Sequence, residues 1–218
     1  TIETPEYPKT LLHSTAIYTA ARKSIYDTMK GCDLIVPCTK MGKSFFENTF
    51  GLATSENVYN GVDLDLRAEE PIDRESFFHG RVTANDFLFV SMGLNSNRKR
   101  IDRVIDAFAA FVNQRQDRAK YKLYIHTDPD HILDGTDIEE QIAHLGMHGA
   151  IFTMPQTKEH ALPKETLYQI YKSADCYIGL PGGEGFGYGF AEAMMHGLPV
   201  IYIDHGGHVE YCRECGIA

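Results

Sequence analysis

The chain has 218 residues, 43% of them hydrophobic and 23% charged, with a net charge of −9. This is the make-up of an ordinary soluble globular protein with room for one sizeable α/β domain or two small ones. The acidic balance argues against nucleic acid or any other general polyanion as partner, so a phosphate site must be local, and no apolar run reaches the length of a membrane span.

Ser14 is placed to cap a helix running to about Lys30, with Ile17, Ala20, Ala21, Ile25 and Met29 near helical spacing and Gly31 ending it. Asp33 to Cys38 is a short apolar run, read as a strand buried on both faces. A helix follows from Lys40 to about Phe50, stopped by Gly51. Asn57 to Tyr59 is a further strand candidate, and Asn60-Gly61 is a turn signal.

Periodicity is lost from Leu64 to Asn85, which reads as a linker. The expected organisation is therefore 1–65, the end of a first domain; 66–85, a linker; and 86–218, a second domain. Phe87 to Ser91 opens a new α/β pattern. A loop from Met92 to Arg100 leads into a helix to about Gln114, with Ile101, Val104, Ile105, Phe108 and Phe111 as its apolar stripe. Strands are predicted at Lys122–His126, Ala150–Thr153 and Cys176–Leu180, and helices at Ile138–Leu145 and Thr166–Ser173. The alternation implies an α/β fold, a parallel sheet flanked by helices. In such sheets ligands lie beyond the carboxyl ends of the strands.

The densest stretch is Pro181 to Ile201. Gly182, Gly183, Gly185, Gly187 and Gly189 form a loop, a helix follows at about Phe190 to His196, and a buried strand runs from Leu198 to Ile203. A helix start approached by glycine backbone is a ready anion site. Glu184 lies on the loop and Glu192 on the helix. Arg98, Lys99 and Arg100 lie on the earlier loop; if the two loops converge, a diphosphate has its counter-charge. The plain reading makes Glu184 a surface carboxylate, Glu192 a helix-dipole partner and residues 98–100 a solvated loop.

The cysteines, Cys32, Cys38, Cys176, Cys212 and Cys215, are odd in number and scattered, which favours reduced thiols and a cytosolic setting. Asp204-His205-Gly206-Gly207-His208 with Cys212 and Cys215 offers zinc-type donors, but their spacing matches no familiar zinc module. His144 and His148 are read as sharing a solvent-facing helix side.

The order of these parts resembles the retaining glycosyltransferases of family 4, which have the GT-B fold of two Rossmann-like domains. The resemblance rests on Glu184 and Glu192 with seven residues between them, on VSMGLNSNRKRIDRVIDAFAAF from Val90 on, on Asn60-Gly61-Val62-Asp63, on the strand before Pro181, and on Gly206-Gly207 with Glu210. It implies a GT-B fold with a partial N-terminal domain, and transfer of a sugar from a UDP-, GDP- or ADP-linked donor to an acceptor hydroxyl on a glycan, lipid-linked molecule or protein. By the same resemblance Glu184 contacts the donor sugar, Lys99 the diphosphate with Arg98 beside it, and Glu192 the ribose. Gly185, the backbone of Phe186, Gly187 and Tyr188 face sugar and phosphates, and Met154 and Pro155 border the nucleobase. Because cations and helix N–H groups can stabilise the leaving phosphate in place of a divalent ion, no metal and no other cofactor is expected. The expected location is the cytoplasm, with peripheral contact at the cytoplasmic face of a membrane compatible with it. An epimerase on the same fold and a non-catalytic nucleotide-sugar-binding module are the alternatives; a phosphorylase would need a pyridoxal-binding lysine, for which there is no motif.

Four positions depart from the family pattern. Leu94 stands where Arg is frequent, Arg100 where Gly is frequent, and Tyr188-Gly189 where Leu-Pro is frequent. The acceptor side is expected on sequence upstream of Thr1, and the chain is expected to stop short of the family's last strand and helix.

Overall fold

The computed structural model describes residues 11–14, 23–129, 134–154 and 162–214. Two compact units emerge. One comprises residues 1–61 with segments 183–187 and 205–210, the other residues 62–182, 188–204 and 211–218.

In the first unit, β1 (Leu11–Ser14) pairs in parallel with β2 (Leu34–Pro37), Leu11 opposite Leu34. Helix α1 (Lys23–Met29) lies between them in sequence, and α2 (Lys40–Phe50) follows. Met29, Ile35 and Phe46 form a small core, backed by Phe45, Phe50 and Leu52. The α2 boundaries follow local rules: Thr39 Oγ1 accepts from the Gly42 amide at 3.1 Å, and Gly51 closes the helix at φ +65°.

Three expectations are corrected here. Ser14 ends a strand, and the described part of the following helix begins at Lys23; residues 15–22 lie outside the described residues. β2 alternates half-buried with buried residues rather than being buried on both faces. Asn57–Tyr59 is not a strand: Ser55 N bonds Ile35 O at 3.0 Å and Val58 N bonds Pro37 O at 2.8 Å. Those donors are three residues apart and their acceptors two, so no regular ladder forms.

The second unit is built on a parallel five-stranded sheet, ordered β5-β4-β3-β6-β7. Its elements in chain order are the short α3 (Arg74–Phe77), β3 (Phe87–Met92), α4 (Ile101–Asn113), β4 (Tyr121–His126), α5 (Ile138–Leu145) and β5 (Ile151–Thr153). They continue with α6 (Lys164–Ser173), β6 (Cys176–Gly179), α7 (Tyr188–Met195) and β7 (Val200–Tyr202); the short α8 (Val209–Cys212) begins within segment 205–210 of the first unit. The chain leaves central β3 towards β4 and β5, then returns to β6 on the other side of β3. The switch point therefore lies between β3 and β6.

Alternate strand residues serve opposite faces. Phe89, Leu123, Ile125, Ile151, Cys176 and Ile178 pack with α4 and α5 residues, including Ile105, Phe108 and Ile142. On the other face Tyr124 stacks on Phe152 at 5.5 Å, and Phe78 meets both rings at 5.0 and 5.5 Å. The stretch read as linker thus contributes α3 and the fully buried Phe78 and Val82. Arg74 adds an ion pair to Asp175 at 3.1 Å, and Asp175 accepts from the Leu88 amide at 2.7 Å.

Phe111 is 39% exposed rather than core, lying edge-on to Tyr121 at 5.0 Å near the end of α4. α5 ends at Leu145, so His148 is not on its face, although both His144 and His148 are exposed. α7 starts at Tyr188 and His196 follows its end. No helix among the described residues is long and apolar enough to cross a membrane.

Candidate functional site

Two loops meet at the switch point of the second unit. The loop after β3 begins with Gly93, whose amide bonds His126 O on neighbouring β4 at 3.1 Å. A Cβ on Gly93 would stand 3.3 Å from Lys99 Cε, so the lysine stem lies against bare backbone. Further along, Arg98 O accepts from the Gly182 amide at 2.8 Å. That bond brings the basic loop to the start of the glycine loop, as convergence required. Arg98, Lys99 and Arg100 are each half-buried rather than a solvated run.

Arg100 is turned away from this role. Its backbone is left-handed (φ +52°), and its Nε and Nη2 donate to Asp102 Oδ1 and Oδ2 at 3.0 and 2.8 Å. The pair raises the arginine pKa, the hydrogen bond to Asp102 contributing most. A position where the resemblance leads one to expect glycine thus holds a non-glycine residue in a backbone conformation that favours glycine.

Glu192 projects from α7 towards two tyrosines. Tyr168 Oη donates to Oε1 at 3.4 Å and Tyr171 Oη to Oε2 at 3.3 Å. Burial pushes the Glu192 carboxyl pKa up, opposed by those hydroxyls and by Lys164. Below it, His196 Nε2 accepts from the Ala68 amide at 3.1 Å. That leaves Nδ1 to carry the proton and donate to Glu192 O at 2.8 Å.

Gly189 explains another departure. A Cβ there would overlap Tyr177 Oη, which donates to Met92 O at 3.4 Å. Tyr188 is 51% exposed at the start of α7. Met154 is half-buried just past β5, while Pro155 lies outside the described residues.

In the first unit the glycine loop continues through Glu184, Gly185, Phe186 and Gly187, all buried. Glu184 is 8% exposed, which overturns the plain reading of a surface carboxylate. Glu184 O accepts from the Gly207 amide at 2.7 Å, and a Cβ on Gly207 would overlap Gly185 O. Only glycine fits so close an approach. Cys38 Sγ donates to Gly185 O at 3.7 Å.

Two features escaped sequence reasoning, the contacts of Glu210 and the place of His126. Glu210, noted in the sequence only beside Gly206-Gly207, accepts from the Lys40 and Met41 amides at 3.0 and 2.7 Å and from Tyr59 Oη at 2.7 Å. It thereby caps the start of α2, where unpaired amides and the helix dipole favour a carboxylate. No local signal links residues so far apart. His126, at the carboxyl end of β4, shares a 2.8 Å hydrogen bond with Tyr124 Oη, and burial lowers its pKa to about 4. A survey of strand-end residues would have found it. For the zinc-type run, Cys215 lies outside the described residues, and no group of three or more His, Cys, Asp or Glu among the described residues could hold a metal ion.

Residues 84–217 match the family described as Glycosyl transferases group 1. Mannosylfructose-phosphate synthase of Agrobacterium fabrum (strain C58 / ATCC 33970) is 24% identical over 190 residues, covering 82% of this chain and 39% of that protein. Sucrose-phosphate synthase of Thermosynechococcus elongatus superposes with a TM-score of 0.74 at 18% identity, over 95% of this chain and 53% of that one. Anabaena HepE, in complex with UDP and glucose, superposes with a TM-score of 0.72 at 20% identity, over 92% of this chain and 54% of its own. The chain thus spans between about two fifths and just over half of these relatives.

Proposed function

Since the chain belongs to the glycosyl transferases group 1 family, we propose that it carries mainly the donor site of a retaining, family 4 glycosyltransferase that moves a sugar from a nucleotide sugar to an acceptor hydroxyl. The observation that carries this reading is the Gly182-to-Arg98 hydrogen bond, which joins the Lys99 loop to the glycine loop at a sheet switch point.

In this reading Lys99 contacts the diphosphate with Arg98 beside it, and Glu192 accepts from the ribose hydroxyls. Its two tyrosine partners hold the carboxylate ready for them. Glu184 contacts the donor sugar, the backbone of Gly185, Phe186, Gly187 and Tyr188 faces sugar and phosphates, and Met154 and Pro155 border the base. The bond from the anomeric carbon to the phosphate oxygen breaks through an oxocarbenium-like state while the acceptor oxygen attacks from the same face and gives up its proton to the departing diphosphate oxygen. The electronic demand resembles that of glycoside hydrolysis. Charge grows on the departing diphosphate, where Lys99 and Arg98 stabilise it; one such donor is typically worth about 3–4 kcal/mol of barrier. With those cations present the reaction is proposed to run without a divalent metal and in the cytoplasm. The acceptor, a glycan, a lipid-linked molecule or a protein, belongs to the whole protein.

The test is a thermal-shift screen of the complete protein against UDP-, GDP- and ADP-sugars, beginning with UDP because a structural neighbour holds it. A ligand at 100 times its Kd adds about 2.7 kcal/mol to the stability of the state that binds it. A shift with none of them overturns the donor-site reading. Product formation from a labelled donor then separates a transferase from a non-catalytic binding module.

A further inference from the structure

Asn95 sits in the loop between β3 and α4 and is fully buried. A buried primary amide must satisfy both its ends or it destabilises the fold. Asn95 does so on a single residue: Nδ2 donates to Thr136 O at 2.9 Å, and Oδ1 accepts from the Thr136 amide at 3.2 Å. The side chain thus pairs with the backbone just before α5 much as a neighbouring strand would. The fit is close, since a Cβ on Gly135 would overlap Asn95 Oδ1. In the same segment Asp134 Oδ1 accepts from the Asn97 amide at 3.0 Å. The opposite side of the loop is tied by Arg98 O to the Gly182 amide.

Three ties at residues 95, 97 and 98 therefore immediately precede Lys99. β3 is held by its sheet partners and α4 by its apolar face, so these ties decide the path of the loop between them. Asparagine suits the position because it offers one donor and one acceptor side by side. Aspartate would set an acceptor against Thr136 O, and serine is too short to reach both groups.

We infer that Asn95, assisted by Asp134, is a positioning residue for Lys99: by clamping the loop to the segment before α5 it fixes the backbone from which the ammonium group meets a donor diphosphate. The inference rests on the role proposed for Lys99 above. It assigns Asn95 no contact with substrate.

The test is a double-mutant cycle on the complete protein, read by calorimetric titration. UDP, GDP and ADP are titrated, and the one bound by the wild type is used beside its own nucleoside. Lys99→Ala should weaken diphosphate binding about tenfold or more and leave the nucleoside unchanged. Asn95→Ser should weaken the diphosphate by roughly fivefold to tenfold, again sparing the nucleoside, and the double variant should bind no more weakly than Lys99→Ala alone. A multiplicative loss in the double variant, or an equal loss for the nucleoside, overturns the inference, because a merely structural role has those signatures. An unchanged affinity in Lys99→Ala overturns the proposed role of Lys99, and the inference with it, without reference to Asn95. Should Asn95→Ser fail to fold, Asp134→Ala, at an exposed position, decides by the same cycle. It should weaken the diphosphate about twofold to threefold only when Lys99 is present, and any other pattern counts against the inference.

Discussion

Arg100 holds a left-handed backbone conformation while Asp102, two residues on, grips its guanidinium through two hydrogen bonds of 3.0 and 2.8 Å. A side chain in that region of backbone space costs roughly 1–2 kcal/mol relative to glycine. The ion pair is partly exposed, and such pairs contribute only about 0–1 kcal/mol. The backbone cost and the pair are therefore of similar size.

Arg100→Gly and Arg100→Ala should accordingly differ. Both remove the guanidinium, but only glycine relieves the backbone. The glycine variant should be more stable than the alanine variant by about 1 kcal/mol. Urea unfolding of both measures this, and equal midpoints would show that the left-handed turn carries no strain.

Lys99→Ala and Glu184→Gln should each lower turnover in the complete enzyme by orders of magnitude, while unfolding midpoints change little. For Lys99 the expected barrier increase is about 3–4 kcal/mol, the usual loss when one group stabilising transition-state charge is removed. Steady-state rates with the donor found by thermal shift provide the measurement. Near wild-type rates for both variants would remove the basis for the proposed site.

Phe78 lies beneath the sheet against Tyr124 and Phe152. Phe78→Ala should destabilise the protein by about 3–5 kcal/mol, as large-to-small core changes do. A flexible connector would lose almost nothing, so denaturant unfolding distinguishes a built-in segment from a tether.

His126 sets a pH dependence. Its usual pKa of 6.5 falls to about 4 in the folded chain through burial. As pH drops from 6.5 towards 4 the unfolded chain takes up a proton at this residue before the folded chain does. Its contribution is thus fully present above pH 6.5 and is lost progressively down to about 4. The loss approaches roughly 3 kcal/mol if the full shift applies. His126→Gln should flatten the fall in stability between pH 6.5 and 4, as seen by chemical unfolding at several pH values. An unchanged slope would mean the imidazole titrates normally.

Much of the architecture was legible in local pattern. The stripe of Ile101, Val104, Ile105 and Phe108 appears as the buried face of α4, and α2 stops at Gly51 as read. Alternating strands and helices implied a parallel sheet because short apolar runs separated by amphipathic helices have few other ways to bury both sheet faces. Where local pattern misled, long-range pairing decided: Ser14, a plausible cap, pairs with Pro37 across β1 and β2, whereas the β-rich run Asn57–Tyr59 finds no regular ladder.

The sequence by itself determined the five strands and the helices α4 to α7 of the second unit, and that a glycine loop and a basic loop each follow a strand. Those are properties of neighbouring residues, expressed through propensity, periodicity and caps. Only the tertiary structure decided that β6 returns beside β3, so that Gly182 bonds Arg98. It alone decided that Asn95 clamps Thr136, that Glu210 caps α2, and that Arg100 occupies a glycine-like backbone. Each depends on the approach of groups distant in the chain, or on a backbone angle that side-chain identity disfavours. Neither leaves a periodic or compositional trace.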